Sequence, residues 1–304
     1  MPTPTRSGGE NPDLSPLAKD CKNADTATLT TFRINTCEKP GGRGACSSAS
    51  PASSLQYRAS RTVGLARAIS KMGYCSRAQA ADLIAAGRVW LNGAVRRNAQ
   101  APVLFGQDKI EVDGREIRAT EKAYWMLNKP RGVVTTASDE KGRATVYDCM
   151  GEAMSEARGW LAPVGRLDKA SEGLLLLTND SEWAARVLDP AEHVAKTYHA
   201  QISALADEAL LEALRRGVRD GGDFLRVERV RELRRGERNS WLEIVLHEGK
   251  KRQIRRMLEA LGIEVLRLVR VAIGGLALGD LAKGESRQLS AAEKAAVENW
   301  KRMS

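Results

Sequence analysis

The sequence has 304 residues, of which 42% are hydrophobic and 28% are charged, and this composition suits a soluble globular protein of one or two domains. The formal net charge of +10 favours a polyanionic partner, either nucleic acid or an acidic membrane surface. No apolar run approaches the roughly 20 residues of a membrane-spanning helix and the first residues lack a secretory signal's apolar core, so we expect a cytoplasmic protein that does not enter a membrane.

Residues 1–60 are rich in Ser, Thr, Pro, Gly and Asn and contain few large apolar side chains. Such a segment cannot bury enough apolar surface to offset the entropy lost on ordering, so we expect a disordered N-terminal extension. A mis-assigned start codon would produce the same pattern, and the sequence leaves both interpretations open.

A small module follows at residues 61–118. Apolar residues recur at helical spacing from Leu65 to Gly73, where the glycine ends the helix. Ser76 and Gln79 have the spacing of a capping box and predict the start of a second helix. Two short strands with glycine turns are predicted at 88–93 and 109–114. The pattern therefore predicts a compact unit with the order helix, helix, strand.

A second domain is expected at residues 122–304, after a charged linker. Its predicted strands are 123–130, 160–168, 173–178, 197–202, 224–233, 241–247 and 265–271. Its predicted helices are 181–188, 207–216 and 251–261, with a terminal helix after Ser290. The elements interleave without a regular βαβ period or a glycine-rich phosphate loop. This order favours an α+β fold over a dinucleotide-binding fold.

The most informative segment of this domain runs from Leu161 to Thr178. It places one base and one acid, Arg166 and Asp168, between two apolar runs and before a glycine-containing turn. A polar loop held by a rigid sheet is a common position for functional residues. On spacing alone, an aspartate at a strand end is more often a turn or cap residue. The local pattern therefore makes Asp168 a candidate and leaves its role open.

The segment from Gly73 to Gly93 resembles the S4 RNA-binding domain, whose two-helix face lies on structured RNA. The resemblance implies that four basic side chains contact phosphates: Arg67, Lys71, Arg77 and Arg88. Taken singly, each of them could equally be a solvated helix charge.

Several motifs of the second domain together resemble the pseudouridine synthases of the RsuA type. They are Lys129-Pro-Arg-Gly132, Gly165-Arg-Leu-Asp168 with the following Ser-x-Gly-Leu-Leu, Lys196-Thr-Tyr198 and the run from Glu248 to Met257. The resemblance covers residue 62 to the end. It implies a catalytic domain with a mixed, largely antiparallel sheet flanked by helices, and isomerisation of uridine to pseudouridine in ribosomal RNA.

The resemblance also implies roles for individual residues. Asp168 becomes the catalytic carboxylate, Arg255 its cationic partner with Arg252 in reserve, and Tyr198 the ring that stacks on the target base. Leu268 packs on the other side of the uracil, and Arg166 fills the gap that a flipped-out uridine leaves in the RNA. Further RNA contacts are expected from five basic residues: Lys129, Lys250, Lys251, Arg252 and Arg256.

The implied reaction detaches uracil from C1′, turns it and rejoins it through C5, without net oxidation or an external energy source. No cofactor is therefore expected. The carboxylate could act as a nucleophile, as electrostatic support for a sugar cation or as a base on the sugar. A partly buried carboxylate needs a cation to stay ionised. The five cysteines form no Cys-x-x-Cys pair and the three histidines are not grouped, so neither a disulfide framework nor a metal site is expected.

Other functions fit part of this pattern. A noncatalytic RNA-binding or ribosome-assembly factor would keep the S4 module but would not need the three active-site residues together. A glycosidase-like hydrolase would need a second acid nearby, for which Glu172 is one candidate. A synthase that acts on transfer RNA also remains open.

The expected partner is ribosomal RNA, free or within pre-ribosomal particles, bound by a monomeric enzyme. The large-subunit (23S) RNA is favoured over the small-subunit (16S) RNA because more of the S4-bearing members of this type act there. The modified uridine cannot be read from the sequence, since it depends on RNA shape.

Overall fold

The computed structural model describes residues 62–137, 139, 141–157 and 159–298, except for the side chains of residues 152, 153 and 155. The extension expected at residues 1–60 lies outside these residues. None of the described helices is both long enough and apolar enough to cross a bilayer.

The first part of the described chain contains two helices and six short strands. They are β1 (Thr62–Gly64), α1 (Leu65–Lys71), α2 (Arg77–Ala85), β2 (Val89–Leu91), β3 (Ala94–Val95), β4 (Pro102–Leu104), β5 (Ile110–Val112) and β6 (Arg115–Glu116). β1 pairs with β4, and a separate antiparallel sheet has the order β3-β2-β5-β6.

The helices of this part begin and pack as the sequence predicts. The Ser76 hydroxyl accepts a hydrogen bond from the backbone N–H of Gln79 at 3.2 Å, and the Gln79 side chain accepts one from the Ser76 N–H at 3.0 Å. This reciprocal pair confirms the predicted capping box. Leu65 and Ile69 of α1 and Ile84 of α2 are fully buried against the sheet, where they form one apolar core.

The remaining described residues contain eleven strands and five α-helices. The elements are β7 (Tyr124–Lys129), α3 (Val146–Glu156), β8 (Ala162–Val164), β9 (Glu172–Thr178), α4 (Ser181–Leu188), β10 (Lys196–Ile202), α5 (Glu208–Arg216), β11 (Val218–Asp220), β12 (Asp223–Leu225), β13 (Arg229–Arg235), β14 (Ser240–Leu246), α6 (Gln253–Ala260), β15 (Val265–Ile273), β16 (Leu276–Ala277), β17 (Ser286–Gln288) and α7 (Ala291–Glu298).

Nine of these strands form one sheet. Its main order is β13-β14-β10-β15-β9-β7-β17, with β16 on β15 and β8 on β9, and β11 and β12 form a separate hairpin. The pairs are antiparallel except for β15 with β9, which is parallel. The sheet is therefore mixed and largely antiparallel, as the sequence analysis expects.

Helices cover both faces of this sheet. On one face, α5 and α6 pack on the half that contains β10, β13 and β14, while α3 packs on β7 and β9. On the other face, α4 and α7 pack on β7 and β9. All seven residues of β9 are buried because alternate side chains point to opposite covered faces. Tyr198 of β10 packs against both cores of the first face and so marks the boundary between them.

Several short strands were not predicted, among them β1, β4 and β17, and three further elements also differ from the prediction. The predicted strand 160–168 is a strand only at 162–164. The prediction was too long because Leu167, which is buried although it lies in a loop, continues the apolar alternation of the strand. The predicted strand 224–233 is two strands, since β12 pairs with β11 and β13 with β14. Helix α3 was not predicted, and Gly151, with non-helical backbone angles, interrupts its helical pattern.

Candidate active site

The candidate catalytic aspartate lies in a loop between two paired strands. We call residues 165–171, between β8 and β9, the Asp168 loop. Within it, the Ser171 N–H donates to the carbonyl oxygen of Asp168 at 2.9 Å, and the Thr135 hydroxyl donates to the Leu167 carbonyl at 2.8 Å. These bonds fix the loop backbone from both sides.

Lys129, at the end of β7, holds the same loop through its buried side chain. Its side chain is 0% exposed, and its ammonium donates to the carbonyl oxygens of Ser171 at 2.8 Å, Asp168 at 3.2 Å and Pro130 at 3.2 Å. Burial lowers the pKa of Lys129 to about 8. The prediction that Lys129 contacts RNA is therefore wrong. The Lys129 ammonium lies inside the domain. There its hydrogen bonds to backbone carbonyl oxygens hold the Asp168 loop and so position Asp168.

The Asp168 side chain is exposed, and among the described residues it forms neither a hydrogen bond nor an ion pair. It faces a cavity of about 770 Å³, whose lining also includes Arg166, Tyr198 and Leu268. The structure thus gathers residues that are up to one hundred positions apart in sequence. A carboxylate open to water at a cavity wall is accessible to a substrate.

Arg255 of α6 lies beside the Asp168 loop but not on the carboxylate. Its Nη1 donates to the Val265 carbonyl at 2.9 Å, and its Nη2 donates to the carbonyl of Ala170, a loop residue, at 3.1 Å. Burial and then Arg252 lower the pKa of Arg255, and Asp168 opposes this effect. The predicted Asp168–Arg255 ion pair is not formed between these described residues. Because the carboxylate is exposed, the structure leaves no buried charge without a partner at this position.

The basic run after β14 divides into cavity-lining and structural residues. Lys250, Lys251 and Arg252 line the cavity, as expected for RNA contacts. The ammonium of Lys250 also donates to the Phe224 carbonyl at 2.8 Å. Arg256 points away and pairs with both carboxylates of the β11–β12 hairpin, Asp220 and Asp223.

Arg256 is therefore paired within the protein, and the predicted RNA contact would first have to break these ion pairs. Its guanidinium donates to two carboxylates that lie more than thirty residues earlier in the sequence. Sequence reasoning also passed over two cavity residues, Lys196 and Arg270. Lys196 belongs to the Lys196-Thr-Tyr198 motif, and Arg270 lies two residues after Leu268 on the same strand. This spacing was the available signal.

Four basic residues in the first part of the chain are predicted to contact phosphates. Two of them are free of ion pairs among the described residues, and two are paired within the protein. Arg67 and Arg77 are exposed and have no ion pair among the described residues. Arg88 binds Asp113 through two hydrogen bonds. The ammonium of Lys71 lies 3.2 Å from a carboxylate oxygen of α4, so this lysine connects the two parts of the chain. Only Arg67 and Arg77 are thus free to meet RNA without first breaking a contact.

Backbone and amide hydrogen bonds join the two parts. The Trp160 N–H donates to the Gly73 carbonyl at 2.7 Å. The Asn179 amide donates to the Thr120 hydroxyl and the Glu121 carbonyl at 3.1 and 2.7 Å, and its oxygen accepts from the Ala123 N–H at 2.9 Å. One buried side chain therefore ties the linker to the end of β9. No cluster of three or more His, Cys, Asp or Glu side chains able to hold a metal lies among the described residues.

Comparison with known proteins places this arrangement in a family. The family profile described as "RNA pseudouridylate synthase" matches residues 123–260, and the profile of the S4 domain matches residues 63–117. "Ribosomal large subunit pseudouridine synthase B" of Bacillus subtilis is 37% identical over 228 residues, which are 74% of this chain and 91% of that protein. The chain belongs to the RNA pseudouridylate synthase family.

Further relatives agree with this assignment. An "Uncharacterized RNA pseudouridine synthase" of Aquifex aeolicus is 38% identical over 75% of this chain and 90% of its own length. A solved structure described as "Crystal structure of pseudouridylate synthase" has 29% identity and a TM-score of 0.54, and it covers 77% of this chain and 99% of that one. The similarity thus extends over both the S4 domain and the catalytic domain.

Family membership confirms the resemblance to the RsuA type and the α+β fold. The protein is an isomerase that converts uridine to pseudouridine in RNA, and its S4 domain is an RNA-binding module. The glycosidase-like hydrolase and the noncatalytic assembly factor are therefore set aside.

Proposed function

We propose that this pseudouridine synthase acts on specific uridines of large-subunit ribosomal RNA, with Asp168 as its catalytic carboxylate. The observation that carries the proposal is the exposed Asp168 carboxylate in a cavity that Tyr198 and Leu268 also line. The name of the Bacillus subtilis relative supports the choice of RNA. The proposal includes domain limits at 61–118 and 122–304, a cytoplasmic location, and a monomer that binds the RNA free or within pre-ribosomal particles.

The cavity can accept a base that has been turned out of its stack. We assign the ring of Tyr198 to one face of the uracil and Leu268 to the other, since an aromatic ring and an aliphatic side chain can sandwich a planar base. Arg166, which is exposed at the cavity edge, would occupy the space that the base leaves. This arrangement brings C1′ of the ribose towards Asp168.

The electrostatics of the cavity suit this reaction. An ionised Asp168 can attack C1′, stabilise a sugar cation or remove a proton from the sugar, and each role requires the charged form. Arg255 is attracted to Asp168 and holds the Asp168 loop through the Ala170 carbonyl. Lys251 and Arg252 at the cavity supply positive charge for RNA phosphates.

The choice of RNA is tested by mapping pseudouridine with a carbodiimide in ribosomal RNA from cells with and without the gene. We expect one or a few positions of large-subunit RNA to lose the modification. Wild-type protein should restore them and the Asp168→Asn variant should not. Loss of a position in small-subunit RNA or transfer RNA instead would contradict the proposed substrate but not the chemistry.

The S4 domain should contribute affinity through phosphate contacts by Arg67 and Arg77. Each contact that is removed should flatten the logarithmic salt dependence of RNA binding by roughly 0.7 to 0.9. We therefore expect Arg67→Ala and Arg77→Ala each to show that change in binding measured from low to moderate salt. Arg238→Ala, which removes an exposed positive charge from the turn between β13 and β14, is the matched control. Equal slopes in all variants would show that the two S4 arginines do not meet phosphates.

A further inference from the structure

We propose that Lys196 and Arg270 form an anion subsite that holds the uracil ring while it is detached from the ribose. This inference rests on the proposed function, because it deepens the assignment of the cavity around Asp168. The subsite lies on neighbouring strands of the large sheet, β10 and β15.

Sheet geometry places the two cations beside the stacking tyrosine. Tyr198 is directly opposite Arg270 across the β10–β15 pair, so their side chains share one face of the sheet. Lys196 precedes Tyr198 by two residues on β10 and therefore points to the same face. Lys196, Tyr198 and Arg270 all line the cavity that contains Asp168.

Neither cation has an anionic partner among the described residues, although Arg270 is buried and Lys196 is half-buried. Arg270 is only 5% exposed, its Nε donates to the Leu174 carbonyl at 2.7 Å, and its Nη2 is buried without a hydrogen-bond partner. The ammonium of Lys196 reaches one described acceptor, the His247 carbonyl, at 3.4 Å. No carboxylate of the described residues forms an ion pair with Lys196 or Arg270.

Cationic donors without an anionic partner destabilise the folded protein unless a ligand accepts their hydrogen bonds. A buried donor without an acceptor destabilises the fold, and a buried charge without a partner does so more strongly. Burial, followed by repulsion from Arg270, lowers the pKa of Lys196 to about 8, so it is still mostly charged at neutral pH. Two charged donors that converge on a cavity are therefore suited to an anion that is present only during the reaction.

The isomerisation creates an anion of that kind. When the C1′–N1 bond breaks, both bonding electrons remain with the uracil, and their charge spreads over N1 and the two carbonyl oxygens. The ring then turns, C5 forms the new bond to C1′, the C5 proton leaves to a base, and N1 gains a proton. No oxidant or reductant is consumed. Donors fixed at the carbonyl oxygens would stabilise this charge and retain the free ring.

The position of the subsite favours the base over a phosphate. Lys196 and Arg270 project from the sheet beside Tyr198, whereas Lys251 and Arg252 are exposed residues of the turn before α6. Phosphates remain in solvent when a base is flipped, so exposed cations are better placed to meet them. Lys196 and Arg270, which are less exposed, are therefore assigned to the uracil ring.

The test compares chemistry with RNA affinity, using whichever RNA the wild-type enzyme modifies. We expect Lys196→Met to lower the single-turnover rate by about 10² to 10³-fold, the usual effect of losing one donor to a developing anion. Its dissociation constant for the RNA should stay within about twofold of wild type, because the charge does not exist before the bond breaks. Lys196→Arg should recover most of the rate.

Two further variants keep the interpretation specific. Arg270→Lys retains a positive charge but removes Nη2, and it should also slow turnover while binding RNA normally. Lys294→Met, on α7 and outside the cavity, removes the same charge as Lys196→Met and should leave the rate unchanged. Thermal melting shows whether each variant is folded.

Parallel losses of rate and affinity in Lys196→Met would mean that the pair holds a phosphate, and an unchanged rate would mean that it holds no reacting group. Either result overturns the uracil subsite. If only the assignment to large-subunit RNA failed, the uracil subsite would still stand, because the assay uses whichever RNA the enzyme modifies.

Discussion

Asp168→Asn should abolish isomerisation and leave the fold intact. The substitution keeps the size of the side chain but removes the negative charge that each proposed role requires, so we expect turnover to fall by at least about 10³-fold. The Asp168 carboxylate is exposed and forms no hydrogen bond with the described residues, so stability should change by no more than about 0.5 kcal/mol. Tritium release from uracil C5 measures turnover, and thermal melting measures stability.

The matched control for this variant is Asp280→Asn. Asp280 is an exposed aspartate in a turn after β16, outside the cavity, and its replacement should affect neither turnover nor stability. Near-normal turnover by Asp168→Asn would remove the central assignment. Loss of RNA binding together with turnover would instead show that the carboxylate shapes the binding surface.

Gly173→Ala should be strongly destabilising. Gly173 has a φ of +99°, and a Cβ at this position would lie 2.3 Å from the carbonyl oxygen of Arg270 and 2.9 Å from its backbone nitrogen. The obstacle is the backbone of β15 at its parallel junction with β9, so it cannot move aside as a flexible side chain would. The backbone strain and the overlap together should cost about 2 to 6 kcal/mol. Chemical denaturation measures this difference.

Gly279→Ala separates the two causes. Gly279 also has a positive φ, +61°, but a Cβ there would meet nothing within 4 Å. It should therefore cost only the backbone penalty of about 1 to 2 kcal/mol. Equal stability of the two variants would show that the space between β9 and β15 at Gly173 can accept a Cβ.

This constraint links the fold to the site. Asp168 precedes Gly173 by five residues, and Arg270, which Gly173 contacts, lines the same cavity. Any separation of β9 from β15 would move the Asp168 loop relative to Tyr198 and Leu268. Since small displacements of a reacting group can cost about 100-fold in rate, Gly173→Ala should also lose activity where it still folds.

The sequence by itself determined the elements whose signals are local. The capping box at Ser76 begins α2 as expected, and the apolar runs around β7 and β9 and the β-type run around β10 are strands. The resemblance of the motifs identified the family and made Asp168 the candidate carboxylate, although the strand predicted over 160–168 ends earlier, at Val164. These features depend on periodicity and capping within a few residues, which a single segment encodes.

Only the tertiary structure decided where each charged side chain points. Lys129 and Lys251 are equally basic in the sequence, yet one is fully buried under the Asp168 loop and the other is exposed at the cavity. Arg255 contacts a loop carbonyl instead of the predicted carboxylate, and Arg256 is claimed by a distant hairpin. A lysine or arginine takes its partner from whichever carbonyls and carboxylates the assembled fold brings near, and most of those partners are distant along the chain.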